Sequence, residues 1–352
     1  MRRGASARHP VPAGVLLLIS YGDVKAAADR IAGAVRPVTV VPLDPGLVDG
    51  PGVHAALEFM QHSGSFKARG AANFVAALLE AGRLPATGLV VSTGRNADLG
   101  FAWAAARHGV PVTAFLAENA PAAKAERLRM FGAHVRLEGA DQAEAAEEAR
   151  RFAVRTEAID ASTFDNVLTA AGAGTLLPEI IAAVPGLDTV VVAVGAGGLF
   201  SGVTAAADHH GVRVVGVEPT GCQALHAALA AGEVVDVPVD SVAADSLGAL
   251  RVSHDALAWA RTADVRSVLV DDDAIVDARQ QLWDRHRLAV EHGSAATLAA
   301  LISGAYVPGH GERVAVVLCG ANTDPADLND HIASSSARRA RRSSASGRSS
   351  SV

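Results

Sequence analysis

Apolar residues fall at three- and four-residue spacing from Tyr21 to Val35, the period of a helix with one buried face. Pro37 to Leu43 then reads as an extended segment leading toward Leu57-Glu58-Phe59. Helical spacing returns from Ala68 to Leu79, and Gly88 to Ser92 is a short apolar strand followed by a helix over Ala97 to His108. Val112 to Leu116 reads as a strand, Pro121 to Phe131 as a helix begun by Pro and stopped by Gly132, and His134 to Leu137 as a strand. A charged helix is expected over Asp141 to Val154. The second half continues with a helix from Thr175 to Val184, a strand from Thr189 to Val194, a glycine loop, a helix from Leu199 to His209 and a strand from Val212 to Val217. Near the end, Gly293 to Ser303 is helical and Arg313 to Leu318 extended. Strands that alternate with helices pair in parallel, because each crossover helix must cover a sheet face. The expected fold is α/β, with two doubly wound domains built on parallel sheets.

Composition narrows the class. A chain of 352 residues, 50% hydrophobic and 19% charged, buries a core of about two domains and is not a largely disordered protein. A net charge of -6 gives no reason to expect nucleic acid as a partner. The two cysteines, Cys222 and Cys319, provide neither a disulfide framework nor a multi-cysteine metal site, which points to a reducing cytoplasm. Arg2 and Arg3 precede Val15-Leu16-Leu17-Leu18-Ile19, but that run is too short to cross a bilayer and no small-residue cleavage pattern follows. It is taken as an N-terminal extension or an early strand, and no membrane association is expected. The last residues, with Arg338-Arg339-Ala340-Arg341-Arg342 between serine runs, are read as a solvated, disordered tail rather than a nucleic-acid or phosphorylation segment.

Three loops carry candidate chemistry. In Ser63-Gly64-Ser65-Phe66-Lys67-Ala68-Arg69-Gly70, a lysine opens a helix from a small-residue turn. A Schiff-base lysine must lose its proton readily, which burial and nearby positive charge promote, and Arg69 is a candidate for that charge. An ordinary lysine in a helix's first turn is the competing reading. Gly195-Ala196-Gly197-Gly198-Leu199 lies between a strand and a helix, where backbone N–H groups and the helix end suit a phosphate. Phe200 stands where a third glycine of the dinucleotide fingerprint would fall, and a plain tight turn remains open. Ser92-Thr93-Gly94-Arg95-Asn96-Ala97 is also a strand-to-helix loop, able to hold a carboxylate or simply to turn. Cys319 ends a strand, the edge at which open α/β sheets bind ligands, although a buried structural cysteine would look the same.

Together these loops resemble the fold-type II pyridoxal-phosphate enzymes, and within them the threonine/serine dehydratases. The likeness runs from about Asp23 to Leu328. It includes Leu57 to Gly70, Gly195 to Leu199, Val217-Glu218-Pro219, Ala244 to Gly248, Glu291 to Ala295 and Cys319 to Pro325. The resemblance implies pyridoxal 5′-phosphate as cofactor, bound in the cleft between the domains, and L-serine or L-threonine as the small amino-acid substrate. It implies that Lys67 is the Schiff-base lysine and general base, that Phe66 packs beside the ring, and that Asn96 bonds its oxygen. Gly195, Ala196, Gly197, Gly198 and Leu199 would hold the phosphate, and Cys319 would face the pyridine nitrogen. Ser65, Thr93, Gly94, Arg95, Asn96 and Ala97 would bind the substrate. Racemases of this family carry a serine where Gly94 stands, so a dehydratase is the expected activity.

The chain also departs from the family pattern. Arg95 replaces a usual glycine, Asp98 adds charge beside it, and Ala224 stands where a metal-binding relative carries an acid alongside Glu218. The metal is left undetermined. A discontinuous large domain, 21–88 plus 167–330, is expected around a small domain, 89–166, with an extension at 1–20 and a tail at 331–352. A homodimer without a C-terminal regulatory domain is the implied assembly. The rival readings are another β-elimination enzyme acting on a hydroxyaspartate or β-substituted serine, an amino-acid racemase, and a degenerate cofactor-binding homologue.

Overall fold

The computed structural model describes residues 18–48, 52–161 and 166–328. The expected tail and most of the N-terminal extension lie outside them. Ten strands are present among the described residues: β1 (Val40–Pro42), β2 (Val53–Ala56), β3 (Leu89–Val91), β4 (Val112–Leu116), β5 (His134–Leu137), β6 (Ile159–Asp160), β7 (Thr189–Ala193), β8 (Arg213–Pro219), β9 (Val265–Val270) and β10 (Val314–Val317). They form a six-stranded sheet in the order β1-β2-β10-β7-β8-β9 and a four-stranded sheet in the order β5-β4-β3-β6. All pairings are parallel except β1 with β2, which is antiparallel and forms one edge of the larger sheet. The fold class is therefore α/β with parallel-dominated sheets.

The central strands are continuous apolar runs because helices cover both faces. Val190, Val191, Val192, Val314, Val316 and Val317 are all fully buried, and each such side chain contributes about 1.5–3 kcal/mol from burial. Polar caps set several helix starts. Asp141 accepts from the N–H groups of Ala143 and Glu144, so it is the cap of the helix Gln142–Thr156 rather than its first residue.

The helix Val167–Gly174 is among those with no counterpart in the periodicity reading. Asn166 caps it through Leu168 and Thr169. Its glycines allow it to lie against two neighbours at backbone distance. A Cβ on Gly172 would come within 2.5 Å of the Arg69 carbonyl oxygen, and one on Gly70 within 2.6 Å of the Thr169 oxygen. On the other side, a Cβ on Gly202 would lie 2.0 Å from the Ala170 oxygen. Helices Lys67–Glu80, Val167–Gly174 and Gly198–His210 thus form a close-packed wedge.

Substitution Gly202→Ala should therefore destabilise the protein by about 1–3 kcal/mol through overpacking. Equilibrium urea unfolding checks this, and a change within about 0.5 kcal/mol, as at an ordinary surface position, would contradict it.

Candidate active site

The Lys67 helix has no side-chain cap; its start is fixed instead by the end of the central strand. The Phe66 N–H donates to the Cys319 oxygen at 2.9 Å, and the Ala321 N–H to the Gly64 oxygen at 2.9 Å. These bonds set the Lys67 loop beside the residues that follow β10. Asn322 adds a second link, donating to the Ser63 oxygen at 2.8 Å and to Asn96 Oδ1 at 2.7 Å.

A cavity of about 620 Å³ opens there. Phe66, Lys67, Thr93, Arg95, Asn96, Ala97, Gly195, Ala196, Gly197, Gly198, Leu199 and Cys319 all line it. Ser65 and Gly94 do not appear in its wall. Ser65 is wholly buried behind it, in a bridge with Gly320, and the Gly94 N–H is turned to Asp98.

Burial lowers the pKa of the Lys67 amine, with Cys319 and Asp98 partly offsetting the effect. Its Nζ lies 4.8 Å from the centre of the Phe66 ring. The expectation that Arg69 supplies positive charge to Lys67 is corrected here. Arg69 points away into a buried network, with Nε 2.7 Å from Glu58 Oε1 and Nη1 2.6 Å from Glu179 Oε1. Its remaining donors reach Thr175 Oγ1 and the Arg36 oxygen. Burial works against the Arg69 charge, but the two glutamates outweigh it and raise its pKa. Arg69 is a structural ion, not an activator.

The helix Gly198–His210 starts from Gly197 in the left-handed region, at φ 96°, without a side-chain cap. An added Cβ at Gly197 would meet Ala256 at 2.6 Å, whereas one at Gly198 would meet nothing within 4 Å. The loop is therefore fixed by packing on one side and open to the cavity on the other. Its first N–H groups have no intrahelical acceptor, an arrangement chemically able to accept an anion. Cys319 is buried, and desolvation raises its thiol to about 12, so it is neutral. The hydroxyl of Ser294 lies 3.5 Å from its sulfur.

Two residues with no assigned role prove central. Glu291 lines the cavity, and both its oxygens lie 2.9 Å from Asn96 Nδ2; Oε1 also accepts from the Asn322 N–H at 2.7 Å. Burial raises its pKa against those donors. Asp98 is wholly buried and accepts at 2.7 Å from the Thr93 N–H, the Thr93 hydroxyl and the Gly94 N–H. Burial raises it to about 6 against these bonds. Its charge was legible beside the loop; its direction was not. Arg95 lies at the cleft mouth, exposed, with Nη1 3.1 Å from the Gly248 oxygen. Away from the cavity, the oxygens of Glu218 accept from the Leu225 and His226 N–H groups. No cluster of three or more metal-ligating side chains occurs among the described residues.

The family model described as "Pyridoxal-phosphate dependent enzyme" matches residues 31–320. The chain is 34% identical to a phenylserine dehydratase from Ralstonia pickettii over 287 residues, covering 81% of this chain and 87% of that protein. It is 35% identical to a serine dehydratase-like protein from Homo sapiens over 287 residues, covering 78% and 86% of the two. Among solved structures it is similar to maize serine racemase, with a TM-score of 0.82 at 26% identity, covering 92% of this chain and 99% of that one.

Two outcomes follow from the electrostatics. The chain has three lysines, Lys25, Lys67 and Lys124. Reductive methylation of the cofactor-free protein across pH, read by mass spectrometry, should show Lys67 becoming reactive at lower pH than Lys25; equal profiles would contradict the account. Substitution Arg69→Met should cost about 3–5 kcal/mol in urea unfolding, because it leaves Glu58 buried and unpaired, yet leave the Lys67 profile in place if the folded protein is labelled. A shifted profile would return Arg69 to the role denied it above.

Proposed function

The chain belongs to the pyridoxal-phosphate dependent enzyme family, and from that premise we propose that it is an L-serine/L-threonine dehydratase, an ammonia-lyase that releases a 2-oxo acid and ammonia by β-elimination. Its cofactor is pyridoxal 5′-phosphate. When bound, that group supplies an aldehyde to an amine and an electron-withdrawing ring to the charge left by a departing proton. The residues present fit it. The open N-terminus of helix Gly198–His210 suits the phosphate, Phe66 offers a ring face, and Lys67 offers an amine whose pKa is depressed by burial.

Lys67 would be the amine that anchors the cofactor and the base that takes the substrate's α-proton at Nζ. Cys319, buried and neutral, would face the ring nitrogen without a carboxylate to protonate it, an environment that would favour prompt loss of a β-substituent. Asn96, braced by Glu291 and Asn322, would be the residue that holds the cofactor's ring oxygen. The loop Thr93 to Ala97 receives the substrate's carboxylate.

The observation that carries the lyase reading over racemisation is Gly94. Racemisation needs an acid on the face opposite Lys67, and Gly94 has no side chain to supply one. Its φ of +62° and a Cβ position 3.0 Å from Leu116 Cδ2 also disfavour adding one. The proposed large domain, 21–88 plus 167–330, is supported by the six-stranded sheet, whose strands come from both segments, and the small domain by the other sheet. A cytoplasmic homodimer, as the family resemblance implies, completes the proposal, and the two free, buried cysteines are compatible with a reducing compartment.

Purified protein with pyridoxal phosphate should release pyruvate from L-serine or 2-oxobutanoate from L-threonine. Substitution Lys67→Ala should lower the rate by at least about 10²–10⁴-fold. No product from the wild type with either amino acid, or undiminished product from Lys67→Ala, would contradict the proposal.

A further inference from the structure

Two departures in one loop, Arg95 and Asp98, are complementary in charge and do not form an ion pair with each other. A carboxylate-binding loop works by offering successive N–H groups to one anion. Here an internal anion already uses the first of them. Asp98 Oδ2 accepts from the Thr93 and Gly94 N–H groups at 2.7 Å each, and the Arg95 N–H is directed at Thr93 Oγ1 at 3.2 Å. That leaves the Asn96 and Ala97 N–H groups, the first two of the helix Asn96–Ala106, whose geometry gives them no intrahelical acceptor.

An incoming α-carboxylate therefore meets fewer donors and a buried carboxylate in the same loop. Like charges at such range oppose each other, and the opposition is stronger where water is excluded. Compensation requires a cation at the cavity. Arg150 is paired with Glu147, and Arg251 with Asp236. Arg95 lines the same cavity and makes no ion pair among the described residues. Its one contact, to the Gly248 oxygen, leaves most of its five N–H donors for a ligand.

We propose that Arg95 and Asp98 form a compensating pair that determines how this site recognises the α-carboxylate of its substrate: Asp98 occupies the loop's leading donors, and the Arg95 guanidinium replaces them. The inference rests on the reading that the ligand is an amino acid. Asp98 is then a positioning residue, acting through the loop, and Arg95 a specificity-determining one. A helix cap alone would make Asp98 matter for stability and be indifferent to Arg95.

The test is a double-mutant cycle on the cofactor-loaded protein, read by calorimetric binding of L-alanine, which has no leaving group, and of L-alaninamide, which lacks the carboxylate. Substitution Arg95→Gly should weaken L-alanine by roughly tenfold or more, the scale of a charge-assisted contact, and leave L-alaninamide within about twofold. Adding Asp98→Gly should restore L-alanine to within roughly threefold of the wild type, because the loop's N–H groups are freed. If Asp98→Gly does not fold, Asp98→Asn removes the charge at similar volume and should give partial restoration. Unchanged L-alanine affinity in Arg95→Gly, or a double variant no better than the single, overturns the pair. So does an Arg95→Gly loss confined to L-threo-3-hydroxyaspartate, which would assign Arg95 to a second carboxylate. Absence of L-alanine binding by the wild type removes the amino-acid reading itself, whereas normal dehydration with an additive cycle removes only the pair.

Discussion

The site depends on how closely the helix Val167–Gly174 packs against its two neighbours. Gly70 and Gly172 allow it to touch the Lys67 helix at backbone distance, and Gly174 and Gly202 do the same for the helix that begins at Gly198. Because both neighbours start at the cavity, this wedge fixes the separation of their N-termini. One N-terminus carries the lysine, and the other presents uncapped N–H groups. A methyl group at any of these glycines would force the helices apart and widen the distance between amine and anion site.

Around this wedge the charges are divided into two populations. Arg69 is paired with both Glu58 and Glu179 away from the cavity, and its partners leave no donor free for the cleft. Near the cavity, Lys67 and Cys319 are both pushed toward neutrality by burial, while Glu291 and Asp98 are each committed to several donors. Positive potential therefore comes from oriented N–H groups and from Arg95 at the mouth. Such an arrangement is suited to anionic ligands, while burial lowers the proton affinity of the Lys67 amine beside them.

Much of this was legible in the chain itself. Val112 to Leu116 and His134 to Leu137 coincide with β4 and β5, since apolar runs bounded by glycine and proline leave little choice. The three loops line one cavity although they come from two sheets: the Lys67 and Gly195 loops lie after β2 and β7 of the larger sheet, and the Ser92 loop follows β3 of the smaller one. Helix Val167–Gly174 was hidden by its composition, as Gly172 and Gly174 serve tertiary approach at the expense of local propensity. Helices His254–Thr262 and Asp272–His286 and strand β9 likewise went unread. The direction of Arg69 was not accessible, because its partner Glu179 is 110 positions away. Nor was the turn of Asp98 back onto Thr93 and Gly94, which depends on side-chain geometry rather than spacing.

The central claim is that Lys67, at one of these two helix ends, is the residue that holds the cofactor. Reduction of the cofactor-loaded protein with borohydride, followed by peptide mapping, tests it most directly. The account predicts the pyridoxyl group on the peptide containing Lys67 and none on Lys25 or Lys124. Label on either of those lysines, or cofactor retained with no lysine modified, would contradict it.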